Sequence, residues 1–270
     1  MKETEKRNAN TTHIDKMSVA EMITALQNEN AVAVDAVGRA QSAITAAIQA
    51  IEPGFIAGGR LIYVGCGTSG RLGVLDAAEC PPTFGVSPDK VTGVIAGGEK
   101  ALIRAVENAE DDENAGRRAL EDFELTNSDA VIGISAAGDA AFVVGALKYA
   151  GKCGAVTVAI DNNPGSKIGD VAKYEICIRT GAEPVTGSTR MKAGTSQKLV
   201  LNMISTALMI RSGYVYENLM INVRANNVKL KKRAANIVDS VTGCGEAVAS
   251  EYLAKNAMDI KKTIEEIKSL

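Results

Sequence analysis

Short apolar runs of strand length recur at 61–64, 91–96, 130–135, 155–160 and 174–178. Segments of helical spacing fill the gaps, at 71–79, 99–110 and 139–151. The first is predicted to stop at Pro81-Pro82. Strands alternating with helices predict an α/β fold, a mostly parallel sheet flanked by helices on both faces. Ahead of the sheet, Ser18 and Glu21 have the spacing of a capping box. A second helix is predicted over 31–51, from Val34, Val37, Ala40, Ile44 and Ile48. Pro53-Gly54 punctuates it, and Gly58-Gly59 turns into the first strand. Beyond the sheet a long, largely apolar helix is expected at about 195–211, then three amphipathic helices from 228 onward, divided near Thr242-Gly243 and Lys255-Asn256. The expected organisation is an N-terminal arm and helices (1–52, the arm over 1–12), an α/β domain (53–222) and a small C-terminal helical cap (223–270).

Composition narrows the function classes. Apolar content of 46% and charged content of 23% are those of a soluble globular protein. A net charge of −2 gives no field for nucleic acid or an anionic membrane, and without tryptophan there is little to stack on bases. The basic run 229–233 reads as a solvated helix face. The first fifteen residues lack the apolar core of a secretory signal, and 199–210 is too short to span a bilayer. Five widely spaced cysteines without a CxxC indicate neither a zinc site nor a disulfide framework. A single histidine, His13, leaves no His-based metal centre or triad. No metal and no cofactor are expected, in a reduced, cytoplasmic compartment.

Candidate chemistry collects at two glycine-rich turns, each following a strand, where α/β sheets bind ligands. The first is Gly65-Cys66-Gly67-Thr68-Ser69-Gly70, followed by Arg71. Glycines let a backbone approach a ligand, and amides of the first helical turn with two hydroxyls make an anion cradle. The letters also fit a dinucleotide fingerprint, but the second strand ends in Ala96-Gly97-Gly98 without the expected acid. A phosphate monoester suits Thr68-Ser69 better. The second turn is Ser135-Ala-Ala-Gly138. A third hydroxyl- and glycine-rich stretch, 183–196, carries two cations, Arg190 and Lys192, and leads into the long helix. Glu79 and Glu110 could be surface charges, or acid and base if burial raises one pKa.

Several stretches bear a family resemblance: Arg7-Asn-x-Asn-Thr; 61–77 as LIYVGxGTSGRLGVLDA, then ECPPTFG at 79–85; IAGG at 95–98; AEDD at 109–112; TGSTR at 186–190; and QKLVLNM at 197–203. Together they resemble the N-acetylmuramic acid 6-phosphate etherases, proteins of sugar isomerase (SIS) type, over nearly the whole chain to about Val238. The resemblance implies a flavodoxin-like SIS sheet without a nucleotide. It also implies elimination of D-lactate from C3 of a 6-phosphosugar followed by hydration, with no cofactor or metal. The family's acid/base glutamates fall on Glu79 and Glu110. Gly67, Thr68, Ser69, Gly70, Arg71, Ser135, Gly138, Ser188, Thr189, Arg190 and Lys192 are the expected substrate contacts. A straight helix from Gly70 to Glu79 would rise roughly 14 Å. Either it breaks near Gly73, or a partner in a homodimer with composite sites supplies one glutamate.

The second turn departs from the family's Ala-Ser-Gly-Arg-Thr-Pro-Tyr. It reads Ala136-Ala137-Gly138-Asp139-Ala140-Ala141-Phe142, so two hydroxyls become alanines and the arginine becomes an aspartate. That leaves three readings: the etherase; a related lyase for an unphosphorylated or differently substituted muramic sugar; and a non-catalytic sugar-phosphate sensor, against which both glutamates argue.

Overall fold

The structure is a computed structural model that describes residues 1–222 and 228–269, apart from the side chains of Val228 and Lys229. Five parallel strands form the sheet: β1 (Leu61–Gly65), β2 (Val91–Ile95), β3 (Ala130–Ile134), β4 (Val156–Asp161) and β5 (Tyr174–Cys177). Their spatial order is β2-β1-β3-β4-β5. The chain leaves β1 toward β2 and then returns to the other side for β3, so the switch point lies between β1 and β3.

Alternation along β1 shows how both faces are covered. Leu61 and Tyr63 pack with α1 (Val19–Arg39), α2 (Gln41–Ile56), α3 (Gly67–Phe84) and α8 (Lys192–Arg211). Ile62 and Val64 pack with Leu120 of α5 (Glu113–Glu121), Phe142 to Ala150 of α6 (Ala141–Lys152) and Ile168 of α7 (Lys167–Val171). A short α4 (Lys100–Ile103) follows β2. A hairpin, β6 (Val215–Tyr216) with β7 (Leu219–Met220), follows α8.

The capping box is present: Ser18 accepts from the Glu21 amide while Glu21 accepts from the Ser18 amide. The helix expected over 31–51 is instead two, parted at Ala40 (φ −88°, ψ 2°). One buried stripe, Ala33, Ala36, Val37, Ala40, Ile44, Ala47 and Ile51, runs across the break, so periodicity alone does not reveal it. Pro53 does not stop α2 but lies within its last turn. The prolines of α3 behave likewise. The helix begins at Gly67, is not broken at Gly73, and passes through Pro81-Pro82 to Gly85. There a left-handed glycine (φ 65°) donates its amide to the Pro81 carbonyl. Gly73 has a packing role: a Cβ there would lie 2.8 Å from Tyr63 Cβ.

The helix expected over 99–110 ends at Ile103. Arg104 turns extended, Asn108 is left-handed (φ 59°), and Asp112 caps the separate α5 by accepting from the Ala115 amide. The polar arm is pinned down. Fully buried Thr4 exchanges two hydrogen bonds with Asn163, and Thr11 Oγ1 donates to the Pro184 carbonyl.

The three C-terminal helices are α9 (Val228–Thr242), α10 (Glu246–Lys255) and α11 (Ile260–Lys268), divided where the sequence suggested. They enclose a core of their own around Val238, Leu253 and Ile264. The expected domain boundary at 222/223 adjoins residues outside the description, and the side chain of Lys229, where the basic run starts, is outside it too; Lys231, Lys232 and Arg233 are exposed. Among the described residues no helix is long and apolar enough to cross a membrane.

Candidate active site

β1 delivers the chain into α3 at Cys66, and the two elements meet closely. A Cβ on Gly70 would lie 2.7 Å from the Gly65 carbonyl oxygen, so only glycine allows this turn. Thr68 is half-buried and Ser69 buried. Ser69 Oγ donates to Gln197 Oε1 at 2.8 Å, and Gln197 Nε2 donates to Asn162 Oδ1 at 3.0 Å. Asn162 Nδ2 in turn donates to Ser196 Oγ and to the Ile178 carbonyl. This buried relay ties the first turn to β4 and α8. Asn162 was not foreseen, because nothing local in its sequence marks it.

The third stretch reaches the same place. A Cβ on Gly194 would lie 3.2 Å from Thr68 Cγ2 and 3.4 Å from the Thr189 carbonyl oxygen, which sets half-buried Ser188 and Thr189 and exposed Arg190 by the start of α3. Lys192 is different. It is 3% exposed, and its ammonium pairs with the Glu29 carboxylate. Burial disfavours the charge on Glu29, but Asn10, Lys192 and Asn8 together hold its pKa below the ordinary value. The Lys192 and Ala193 amides donate to the two oxygens of buried Glu183, which closes the first turn of α8. Lys192 is therefore a structural ion pair rather than a free cation.

The second turn is packed onto the loop after β4. Ser135 donates its amide to the Ile160 carbonyl, and its Oγ accepts from the Gly138 amide at 3.1 Å. Gly138 has φ 76°, and a Cβ there would lie 2.3 Å from Ser166 Cβ, so the position requires glycine. Asp139 does not stand as a bare anion. Lys2 Nζ lies 2.5 Å from Asp139 Oδ2 and also donates to the Ala137 carbonyl.

The two glutamates are set apart. Glu110 lies in the turn before α5, where its carbonyl accepts from the Phe142 amide in the first turn of α6 (3.0 Å). Its cleft, about 390 Å³, is lined by Cys66, Gly67, Arg71, Asn108, Glu110 and Asp111. Burial, then the Glu110 and Asp111 carboxylates, push the Cys66 thiol up to about 12, so it is no nucleophile near neutral pH. Arg71 Nε donates to the Leu102 carbonyl.

Glu79 is exposed on the later half of α3, in a separate cleft of about 170 Å³ with Leu72, Leu75, Asp76, Lys198 and Asn202. Asp76, one turn earlier, accepts from Tyr63 Oη (2.9 Å) and Ser205 Oγ (3.2 Å), and burial raises its pKa. Among the described residues, carboxylate and thiol atoms gather as a possible ligand set only at Asp161, Glu175 and Cys177, and these line neither glutamate's cleft.

A parallel sheet with a switch point between two glycine turns places the chain among the doubly wound α/β folds. Residues 117–207 match the SIS domain, and residues 42–151 match the glucokinase regulatory protein N-terminal SIS domain. Residues 217–270 match the C-terminal lid domain of glucokinase regulatory protein. The phosphoheptose isomerase GmhA from Neisseria gonorrhoeae shares the fold, with a TM-score of 0.53 at 18% identity over 71% of this chain and 98% of that one. A phosphoheptose isomerase from Francisella tularensis gives 0.53 at 15% identity over 72% of this chain and 100% of that one.

The sequence goes further. It is 49% identical over 261 residues to the N-acetylmuramic acid 6-phosphate etherase of Halalkalibacterium halodurans, covering 97% of this chain and 88% of that protein. It is also 49% identical over 260 residues to the enzyme of that name from Rhizobium rhizogenes, covering 96% and 85%. The chain belongs to the N-acetylmuramic acid 6-phosphate etherase family.

Proposed function

We propose that the protein cleaves the D-lactyl ether at C3 of N-acetylmuramic acid 6-phosphate, giving N-acetylglucosamine 6-phosphate and D-lactate. The observation that carries this reading is 49% identity over 97% of the chain, with both candidate acid/base glutamates present. The reaction is a redox-neutral elimination and hydration. Glu110 takes the proton from C2, the C3–O bond breaks, and Glu79 protonates the departing lactate oxygen. A double bond forms between C2 and C3. Glu79, now a carboxylate, takes a proton from water as the water oxygen adds to C3, and C2 regains a proton from Glu110. Each glutamate ends in its starting state, and one water is consumed.

Thr68, the backbone from Gly67 to Gly70, Ser188, Thr189 and Arg190 hold the sugar at the first turn. Ser135 and Gly138 take the phosphate side. The Ser69 proton is committed to Gln197, so Ser69 serves as an acceptor. The reading also separates an α/β body (53–222) from the arm and helices before it and from the C-terminal cap, whose core is its own.

The distance between the glutamates supports a homodimer with composite sites. From Gly67 to Glu79 an unbroken helix rises about 18 Å, longer than a hexose. Beside Glu79, α3 and α8 expose Leu75 (48%) and Met203 (46%), apolar side chains that a second copy would cover. Five free cysteines suit a reducing, cytoplasmic setting.

A second reading is favoured by Ala137, Asp139 and Ala140: a lyase for the unphosphorylated sugar. D-lactate release from N-acetylmuramic acid with and without its 6-phosphate separates the two. Release from the phosphorylated sugar is expected. Release only from the unphosphorylated one selects the second reading, and none from either overturns both.

A further inference from the structure

We propose that Lys2 is the cation that meets the substrate's 6-phosphate at the second turn, making the N-terminal arm a specificity element for phosphorylated sugar. The inference rests on the etherase reading for the identity of the substrate, but its chemistry is that of any phosphomonoester.

The second turn is poor in groups that would hold a dianion. Ser135 has one hydroxyl, while Ala136, Ala137 and Ala140 offer none. Asp139 alone would repel a phosphate. The missing charge arrives from the far end of the chain. The Lys2 ammonium lies between the Ala137 carbonyl and the Asp139 carboxylate, within the turn itself. Its neighbours on the arm fix it there. Glu3 pairs with Arg179, and Thr4, wholly buried, is locked to Asn163 by two hydrogen bonds. A ligand meeting Lys2 therefore finds it already ordered, which removes much of the entropic cost of immobilising a lysine.

Other cations the sequence brings to the site are engaged elsewhere. Lys192 pairs with Glu29, Arg179 with Glu3, and Arg71 Nε donates to Leu102. Arg190 stands by the first turn. Lys2 keeps 27% of its side chain exposed and Asp139 keeps 41%, so the pair is open to a ligand. Asp139 acts as a stand-in anion that holds the ammonium until a phosphate takes it. It also shares a cleft of about 300 Å³ with Lys148 and Lys167 and with the carboxylates of Glu113 and Asp170. Asp139 and phosphate then compete for one ammonium. Removing the competitor and removing the cation must have opposite effects, a signature that a mere strut lacks.

The test is calorimetric titration of the full-length protein with N-acetylglucosamine 6-phosphate and with unphosphorylated N-acetylglucosamine, comparing Lys2→Ala, Lys2→Arg and Asp139→Asn. Lys2→Ala is expected to weaken phosphosugar binding roughly tenfold to a hundredfold, the range for a hydrogen bond to a charged group. Lys2→Arg should restore most of it. Asp139→Asn should tighten it several-fold, and binding of the unphosphorylated sugar should not change in any variant. Thermal melting of each variant shows whether the arm stays docked. If Lys2→Ala and Asp139→Asn weaken binding alike, or if neither changes it, the pair is a strut and the proposal is wrong. Absence of phosphosugar binding by the unsubstituted protein overturns it too. D-lactate release by the unsubstituted protein is read alongside. Lys2-dependent phosphosugar binding without lactate release would sink the etherase reading and leave the role of Lys2 intact.

Discussion

Glu79 and Glu110 lie on either side of one helix's length and open into separate clefts, Glu79 beside Lys198 and Asn202, Glu110 beside Cys66 and Arg71. An acid and a base that serve one sugar must approach it together. With α3 unbroken between the two clefts, the proposed composite site would take a second copy across the exposed face of α3 and α8.

That requirement makes Leu75 a test of assembly. Leu75→Glu places a charge where the partner would seat, and Leu75 makes no contribution to the buried core. The substitution should shift the protein toward monomer by light scattering and lower lactate release at least tenfold, with little change in melting temperature. A Leu75→Glu monomer with full activity would remove the composite site.

The fold's acid sensitivity should trace to Asp129. Its side chain is 2% exposed and forms a bidentate pair with Arg60, Nε to Oδ1 at 3.0 Å and Nη2 to Oδ2 at 2.9 Å, and it also accepts from the Arg60 and Thr126 amides. Burial works against its charge, but these donors prevail and hold the carboxyl at about 2. A depressed pKa stabilises the fold above the unfolded value near 4, and that contribution is lost as pH falls through about 2. Asp129→Asn should therefore cost about 2 kcal/mol at pH 7 by urea unfolding, with the difference from the unsubstituted protein shrinking toward pH 2. A difference independent of pH would contradict the assignment.

Asp161 has the opposite sign. Its Oδ2 accepts from Ser166, its Oδ1 has no hydrogen-bond partner, and burial, aided by the nearby Glu175, raises its pKa to about 6. Its effect is most favourable below about 4, and stability is lost as pH rises through about 6. Asp161→Asn keeps an acceptor for Ser166 and removes the buried charge. It should melt higher than the unsubstituted protein at pH 7.5 and equal to it near pH 4. A lower melting temperature at pH 7.5 would show that the carboxylate is a partner in something the chain alone does not display.

Much of the sheet was legible because each strand is an apolar run bounded by turn residues. β1 to β5 lie within about a residue of the runs that predicted them. Helix ends were harder, because a proline removes one N–H bond and crowds the preceding turn without necessarily ending the helix. Thus α2 passes Pro53 and α3 passes Pro81. Of the candidate site, the turns at 65–70 and 135–138 could be read from their glycines. Their partners could not. Ser69 meets Gln197 across 128 positions, and Lys192 meets Glu29 across 163. The Lys2–Asp139 pair joins the arm to the second turn in the same way. A local pattern carries no record of such pairings, so Lys192 read as a free cation and Asp139 as a bare anion.

The most direct test of the account is complementation between two inactive chains. Glu79→Gln and Glu110→Gln, each purified alone, should release no measurable D-lactate from N-acetylmuramic acid 6-phosphate. Co-expressed, half of the dimers would be mixed, and each mixed dimer would carry one intact site. Release should then recover to roughly a quarter of the unsubstituted rate, as closed twofold symmetry dictates. No recovery from verified mixed dimers, or full activity in either single variant, would contradict the composite glutamate site.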